Sequence, residues 1–259
     1  MSGRVIGMIS GKGGVGKTSL TVNLGVSLSD FGKEVTIVDT DFSGSNLGVH
    51  LGRYDHPVKI QDVLENDEHP SNAVFRHPTG IKAMVASNEL HHLEPDLDRL
   101  EDAVEHAKRN SDYVLVDCPP GMNSTVEEVM KACEELMVIS TPTQTSGINA
   151  AQIIERAKQL RIPILGTVVN MSEEDPEMEL VESEVEMMTE SHIMATVPYD
   201  RQMKKSVFEK EPLISHSPIS EASLEIQELA ASLEGEKFER PRFANFKRKI
   251  NRLRENISR

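Results

Sequence analysis

The stretch Gly11-Lys12-Gly13-Gly14-Val15-Gly16-Lys17-Thr18 constrains this chain more than any other. It follows an apolar run, Val5 to Ser10, that reads as a buried strand. It opens a helical pattern from Lys17 to Phe31 that stops at Gly32, a natural left-handed cap. Strand, glycine-rich turn, Lys-Thr and helix in that order let backbone N–H groups wrap around an anion, and the helix dipole adds to the attraction. The chemistry that fits is phosphate binding. Lys17 would reach the β- and γ-phosphates of a nucleotide, and the Thr18 hydroxyl would ligate Mg2+.

The rest of the chain is consistent with such a fold. Runs rich in Val and Ile read as strands at Val5 to Ser10, Glu34 to Asp39, Ile81 to Ala86, Tyr113 to Asp117, Leu136 to Ser140, Ile164 to Asn170 and Ile193 to Val197. They need not alternate apolar with polar if both faces of the sheet are covered. Helical patterns lie between them, at Leu97 to Asn110 and Ala150 to Leu160, and a last one starts at Ser217-Pro218 and ends near Gly235. The acidic stretch from Met171 to Ser191 reads as a solvated helix with a few apolar contacts. The expected fold is α/β, a mostly parallel twisted sheet with helices on both faces. The simplest partition is one domain over 1–235, then a basic tail over 236–259.

Two further motifs carry carboxylates. Asp39 and Asp41 stand at the C-terminal end of one predicted strand and Asp117 at the end of another, where ligands bind in open α/β sheets. KGGVGKT, VDTD at Val38 to Asp41, and VLVDCPPG at Val114 to Gly121 together resemble the deviant Walker A ATPases, the family of MinD, ParA and the nitrogenase iron protein. The resemblance covers roughly Val5 to Leu233. It implies that ATP is bound by Gly11, Lys12, Gly13, Gly14, Val15, Gly16, Lys17, Thr18 and Ser19. It makes Lys12 the signature lysine that reaches across a dimer interface to the partner's nucleotide. A cation supplied that way would stabilise transferring-phosphoryl charge much as an arginine finger does. Mg2+ would be held by Thr18, Asp39 and Asp117, and Asp41 would position the attacking water, so that Lys12, Lys17 and Asp41 form the catalytic set. Asn170 resembles the asparagine that reads adenine's edge, and Pro198 and Asp200 belong to the loop that walls the base. Each of these residues has a plainer role open to it, an Asp as a cap or turn residue and Asn170 as a turn former. No glutamate stands beside Asp117, because Cys118, Pro119 and Pro120 follow it. A strong general base is missing, and slow turnover is expected.

Composition narrows the branch. The 259 residues carry 28 Lys+Arg against 42 Asp+Glu, a net charge of −14, yet from Lys237 to Arg259 nine basic residues face two acidic ones. An acidic body with a basic end predicts that the end meets something anionic. Cys118 and Cys133 are the only thiols and no C-x-x-C occurs, which disfavours an iron–sulfur carrier. Three tyrosines, none in the tail, disfavour the resembling tyrosine kinases. The nine histidines show no ligand spacing, and the adjacent His91-His92 read as surface. No stretch approaches the roughly 20 apolar residues of a membrane span, and the N-terminus does not read as a signal peptide, so a cytoplasmic protein is expected.

In the tail, Phe243, Phe246, Ile250, Leu253 and Ile257 are spaced for one stripe of a helix, with Arg and Lys flanking it. A basic helix with an apolar face is the pattern of an in-plane membrane anchor. The resemblance then favours the MinD branch: a homodimer when ATP-bound, peripheral on anionic lipid at the inner face of the cell membrane, with an unidentified activator and cargo. A helix docked on a protein or on its own body, a ParA-like partition ATPase on DNA, and a weakly hydrolysing ATP-dependent scaffold are the alternatives.

Overall fold

The computed structural model describes residues 3–66, 68–89 and 95–241. Its elements run β1 (Arg4–Ile9), α1 (Lys17–Asp30), β2 (Val35–Asp39), α2 (Leu47–His50), α3 (Ile60–Glu65), α4 (Pro70–Ala73), β3 (Val74–Arg76), β4 (Lys82–Met84), α5 (Leu100–Arg109), β5 (Tyr113–Asp117) and α6 (Ser124–Lys131). They continue with β6 (Glu135–Ser140), α7 (Gln144–Leu160), β7 (Ile164–Ser172), α8 (Glu182–Thr189), β8 (Ile193–Pro198), α9 (Arg201–Glu209), α10 (Leu213–His216) and α11 (Glu221–Leu233).

One sheet in the order β3-β4-β2-β5-β1-β6-β7-β8 holds every strand. Its pairs are parallel except β3 with β4. Successive side chains leave a strand on opposite faces, so each central strand feeds two cores. Ile9, Val38, Val114, Val116 and Val138 pack with Ala103, Val126 and Ile153 of α5, α6 and α7. Ile6, Met8, Ile37, Leu115 and Met137 pack on the other face with Leu20 and Leu24 of α1 and Ile226 and Leu229 of α11. Because both faces are covered, β2 and β5 are buried at every position, which is why they read as unbroken apolar runs.

Several boundaries differ from the sequence expectation. β3 was not foreseen: three half-buried to exposed residues pairing antiparallel at the sheet edge carry too little pattern. The helix expected over 150–160 starts at Gln144, because the Thr143 hydroxyl accepts the Ser146 N–H and caps it. The last helix starts after Ser220, whose hydroxyl accepts the Ser223 N–H. Ser217, the expected cap, instead offers its carbonyl to the Ser223 hydroxyl. The acidic stretch does hold a solvated helix, α8, with only Val185 and Thr189 buried. Among the described residues no helix is long and apolar enough to cross a membrane.

Beyond Gly235 the chain runs without helix or strand to Pro241, and Arg240 pairs with Glu225 and Glu228 of α11 at 2.8 and 2.5 Å. His91-His92 and the apolar stripe of Phe243, Phe246, Ile250, Leu253 and Ile257 lie outside the described residues.

Candidate active site

The chain reverses direction across the sheet at β1, which lies between β5 and β6. Ligands gather outside the strand ends at such a point. Asp39 and Asp117 are register partners at the ends of β2 and β5, so their side chains leave the sheet on the same face. Their neighbours Val38 and Val116 point to the other face. The two carboxylates therefore meet the start of α1.

The loop from β1 to α1 turns through two left-handed glycines, Gly14 at φ 81° and Gly16 at φ 83°. Gly16 is the N-cap of α1, no side chain caps the helix, and its first turn holds no acidic residue. The helices α6, α7, α9 and α11 are instead capped by Asn123, Thr143, Asp200 and Ser220. A long helix starting bare behind a glycine loop presents its first N–H groups and the positive end of its dipole to an anion. The loop is also pressed between neighbours. A Cβ on Gly11 would lie 2.6 Å from Asn149 Cβ, and one on Gly16 would lie 2.4 Å from Asn170 Nδ2.

Asp117 organises the floor of the site. Its Oδ1 accepts from Lys17 Nζ at 2.6 Å and its Oδ2 from the Thr18 hydroxyl at 2.6 Å. The Thr21 hydroxyl lies 2.9 Å from Lys17 O and 3.3 Å from Asp117 Oδ1. Lys17 is only 6 % exposed. Burial alone would lower the ammonium's pKa, but the charge and hydrogen bond of Asp117 outweigh it and the net shift is upward. Asp39 is fully buried beside this pair. Its Oδ2 accepts from the Ser45 hydroxyl at 2.6 Å and its Oδ1 from the Asp41 N–H at 3.1 Å. Burial first, and the charge of Asp117 second, push its carboxyl up to about 7. Two buried carboxylates against one ammonium leave a negative charge in excess. With the Thr18 hydroxyl they form a set of hard oxygen donors, which fits a small divalent cation such as Mg2+.

The other predicted residues fall around this floor. Asp41 is partly buried, its Oδ1 accepts from the Ser43 hydroxyl at 3.2 Å, and burial raises its carboxyl against the opposing pull of Lys17. Val15 is buried, while Lys12, Gly13 and Gly14 are exposed. The Lys12 carbonyl accepts from the Ser10 hydroxyl, and its ammonium has no partner among the described residues. Asn170, 5 % exposed, donates from Nδ2 to Val15 O at 2.7 Å. Part of its amide is thus spent on holding the loop. Pro198 ends β8, and Asp200 caps α9 by accepting the Gln202 N–H at 2.8 Å. The Ser19 hydroxyl is bonded to His50 Nε2 at 2.9 Å, leaving its N–H in the bare first turn.

Sequence reasoning missed three contributors. Thr40 donates to Asp117 O at 3.0 Å, Ser45 holds Asp39, and His50 reaches back to Ser19. Thr40 lies inside VDTD but only the fold brings it to Asp117, and Ser45 and His50 belong to no motif. The two cysteines, by contrast, are out of play. Both are buried free thiols in the core under α6, donating to the carbonyls of Val116 and Val129, and the neighbouring Cys118 thiol, with burial second, pushes the Cys133 thiol well up.

Residues 2–234 match the family described as ParA: NUBPL iron-transfer P-loop NTPase. An uncharacterized ATP-binding protein of Methanocaldococcus jannaschii is 30 % identical over 232 residues, 89 % of this chain and 88 % of that protein. The septum site-determining protein MinD of Synechocystis sp. is 28 % identical over 242 residues, 90 % of each chain. Among solved structures, the septum site-determining protein MinD of Pyrococcus horikoshii, complexed with Mg-ADP, superposes with a TM-score of 0.85 at 25 % identity, covering 89 % of this chain and 96 % of that one. Motifs, fold and relatives agree, and the chain belongs to the ParA family of ATP-binding P-loop NTPases, in its MinD/ParA group.

Proposed function

We propose that this protein is a MinD-like ATPase that dimerises on binding ATP, attaches reversibly to anionic lipid at the inner face of the cell membrane, and there positions cell-division or other cellular machinery. The observation that carries the ATPase is Asp117, whose two oxygens hold Lys17 and Thr18 at the mouth of an uncapped α1. In this reading the loop N–H groups and Lys17 bind the phosphates. Thr18, Asp39 and Asp117 hold Mg2+, whose contribution is to neutralise developing phosphate charge. Asp41 orients the water. Lys12, exposed and unpartnered among the described residues, extends to the nucleotide of a second copy. The residue after Asp117 is a buried cysteine rather than a carboxylate, which supports slow hydrolysis and a switching role. Both thiols lie in the core, which counts against the iron transfer in the family's description.

Membrane attachment rests on the tail sequence. Vesicle sedimentation tests it: with ATP, vesicles containing anionic lipid pellet several times more protein than with ADP, and removal of residues 242–259 abolishes the difference. Equal pelleting with both nucleotides overturns the membrane switch. Salt-sensitive, ATP-dependent retention on duplex DNA, lost with the same deletion, would replace it with a partition ATPase.

A further inference from the structure

The segment between β2 and α2 carries Asp41 over the end of the sheet. On one side Phe42, 2 % exposed, is buried in the core under α5 to α7; on the other Leu47 and Leu51 are buried against α1. Between those anchors Ser43 and Asn46 are exposed. Two polar attachments fix this bridge. At its start Asp39 accepts from the Asp41 N–H and the Ser45 hydroxyl. At its far end His50 is bonded on both ring nitrogens, to Asn46 O from Nδ1 at 2.9 Å and to the Ser19 hydroxyl at Nε2, also at 2.9 Å. A carbonyl only accepts, so Nδ1 carries the proton and Nε2 of the neutral ring accepts from Ser19. From Asn46 the path continues, since its Nδ2 donates to Gly44 O at 2.6 Å and the Gly44 N–H donates to Asp41 O at 3.2 Å. An unbroken run of hydrogen bonds thus joins the first turn of α1 to Asp41.

We propose that His50 is a positioning residue: through the Ser19 hydroxyl it ties the Asp41 segment to the helix that binds phosphate, so that the two sides of the active site keep one spacing. This deepens the ATPase reading above and rests on it. Both ring nitrogens of His50 are engaged within the protein. Its effect belongs to the placement of Asp41, and so to the chemical step rather than to nucleotide affinity.

The test uses two conservative replacements that each keep half of the imidazole's bonding. His50→Gln keeps an acceptor near the Nε2 position and so the tie to Ser19. His50→Asn keeps only the donor near Nδ1. The expected result is that His50→Asn lowers kcat for ATP hydrolysis about tenfold, as loss of one hydrogen bond can. KM for ATP stays within about twofold, and His50→Gln stays within about threefold of the parent in kcat. Adding His50→Asn to Ser19→Ala costs nothing further, because the pair acts as a unit. Equal kcat for the Gln and Asn variants, additive losses with Ser19→Ala, or a change mainly in KM would each overturn the proposal. Hydrogen exchange at Ser43 to Asn46 in nucleotide-free protein is a readout independent of hydrolysis. It should speed up in His50→Asn and not in His50→Gln, and equal exchange in the two overturns the tie. If the parent chain hydrolyses no ATP while exchange follows this pattern, the ATPase reading fails and the tie stands.

Discussion

Single carboxylates decide the energetics of this site. Asp117 is satisfied by Lys17 and Thr18, and Asp39 bears the cost of lying buried next to it. A carboxyl whose pKa is raised from 3.8 to about 7 on folding holds more protons folded than unfolded between those values. Its contribution therefore lowers stability progressively as pH rises from about 4 to about 7. Asp39→Asn removes that cost. The amide can still accept the Asp41 N–H, and the Ser45 hydroxyl already lies 3.1 Å from Ala86 O, so it can turn to donate there. In EDTA without nucleotide, the variant should melt higher than the parent at pH 7.5 by a few degrees, the scale of ~1–2 kcal/mol in a domain of this size. The gain should shrink at pH 5, where the parent's carboxyl is already neutral. The rise in Tm on adding ATP with Mg2+ should fall, because a ligand for the cation is gone. A variant that melts no higher at pH 7.5 would show that Asp39 bears no burial cost, and one that keeps the full Mg2+-dependent rise would show that it does not hold the cation.

At the level of elements, the phosphate loop is held from across the sheet. Asn170 at the end of β7 donates to Val15 O, and its amide occupies the space a side chain on residue 16 would need. Gly14 has a similar φ but nothing within 4 Å of a would-be Cβ. The two glycines separate backbone strain from packing. Gly14→Ala pays only for the left-handed conformation, on the order of 1 kcal/mol. Gly16→Ala pays that and also displaces Asn170 from a buried hydrogen bond, ~1–3 kcal/mol more. Urea unfolding without nucleotide should show that order, and equal losses would mean the Asn170 contact does not stabilise the loop. The same elements show what the sequence made legible. The phosphate loop, β2 and β5 stood out because glycine spacing and fully buried strands leave local patterns. α7 begins six residues before the expected Ala150, and the packing of Gly147 against Met188 and Leu180 inside it has no local signature. His50 and Ser45 could not be read at all, since the partner of His50 lies 31 residues away and Ser45 sits in a loop without a motif, beyond the end of β2. Asn170 and Asp200 stand out only through the family resemblance, and the structure gives both a bonding duty within the protein itself.

For the molecule as a whole, charge and oligomeric state are coupled questions. Arg240 pairs with Glu225 and Glu228, so the chain leaves α11 tethered to the acidic body, and seven of the nine basic residues of the tail follow it in sequence. In the proposed reading a repelling body would leave lipid attachment to the tail, and one amphipathic helix would bind lipid only weakly and reversibly. Two tails in one dimer make the second contact intramolecular, which raises avidity by about 10²–10⁴. Lys12 should therefore control membrane binding without touching lipid. Lys12→Ala is expected to bind nucleotide within a few-fold of the parent, because Lys17 and the loop N–H groups are intact. With ATP it should stay monomeric by light scattering, where the parent doubles its mass, and it should leave anionic vesicles in the supernatant. Fusing an obligate dimeric coiled coil to the N-terminus of Lys12→Ala should then restore vesicle binding in ADP as well as in ATP. A forced dimer that still fails to bind would mean that nucleotide acts on the tail directly rather than by pairing two of them. Complete loss of nucleotide binding in Lys12→Ala would instead place that lysine in its own loop's phosphate site.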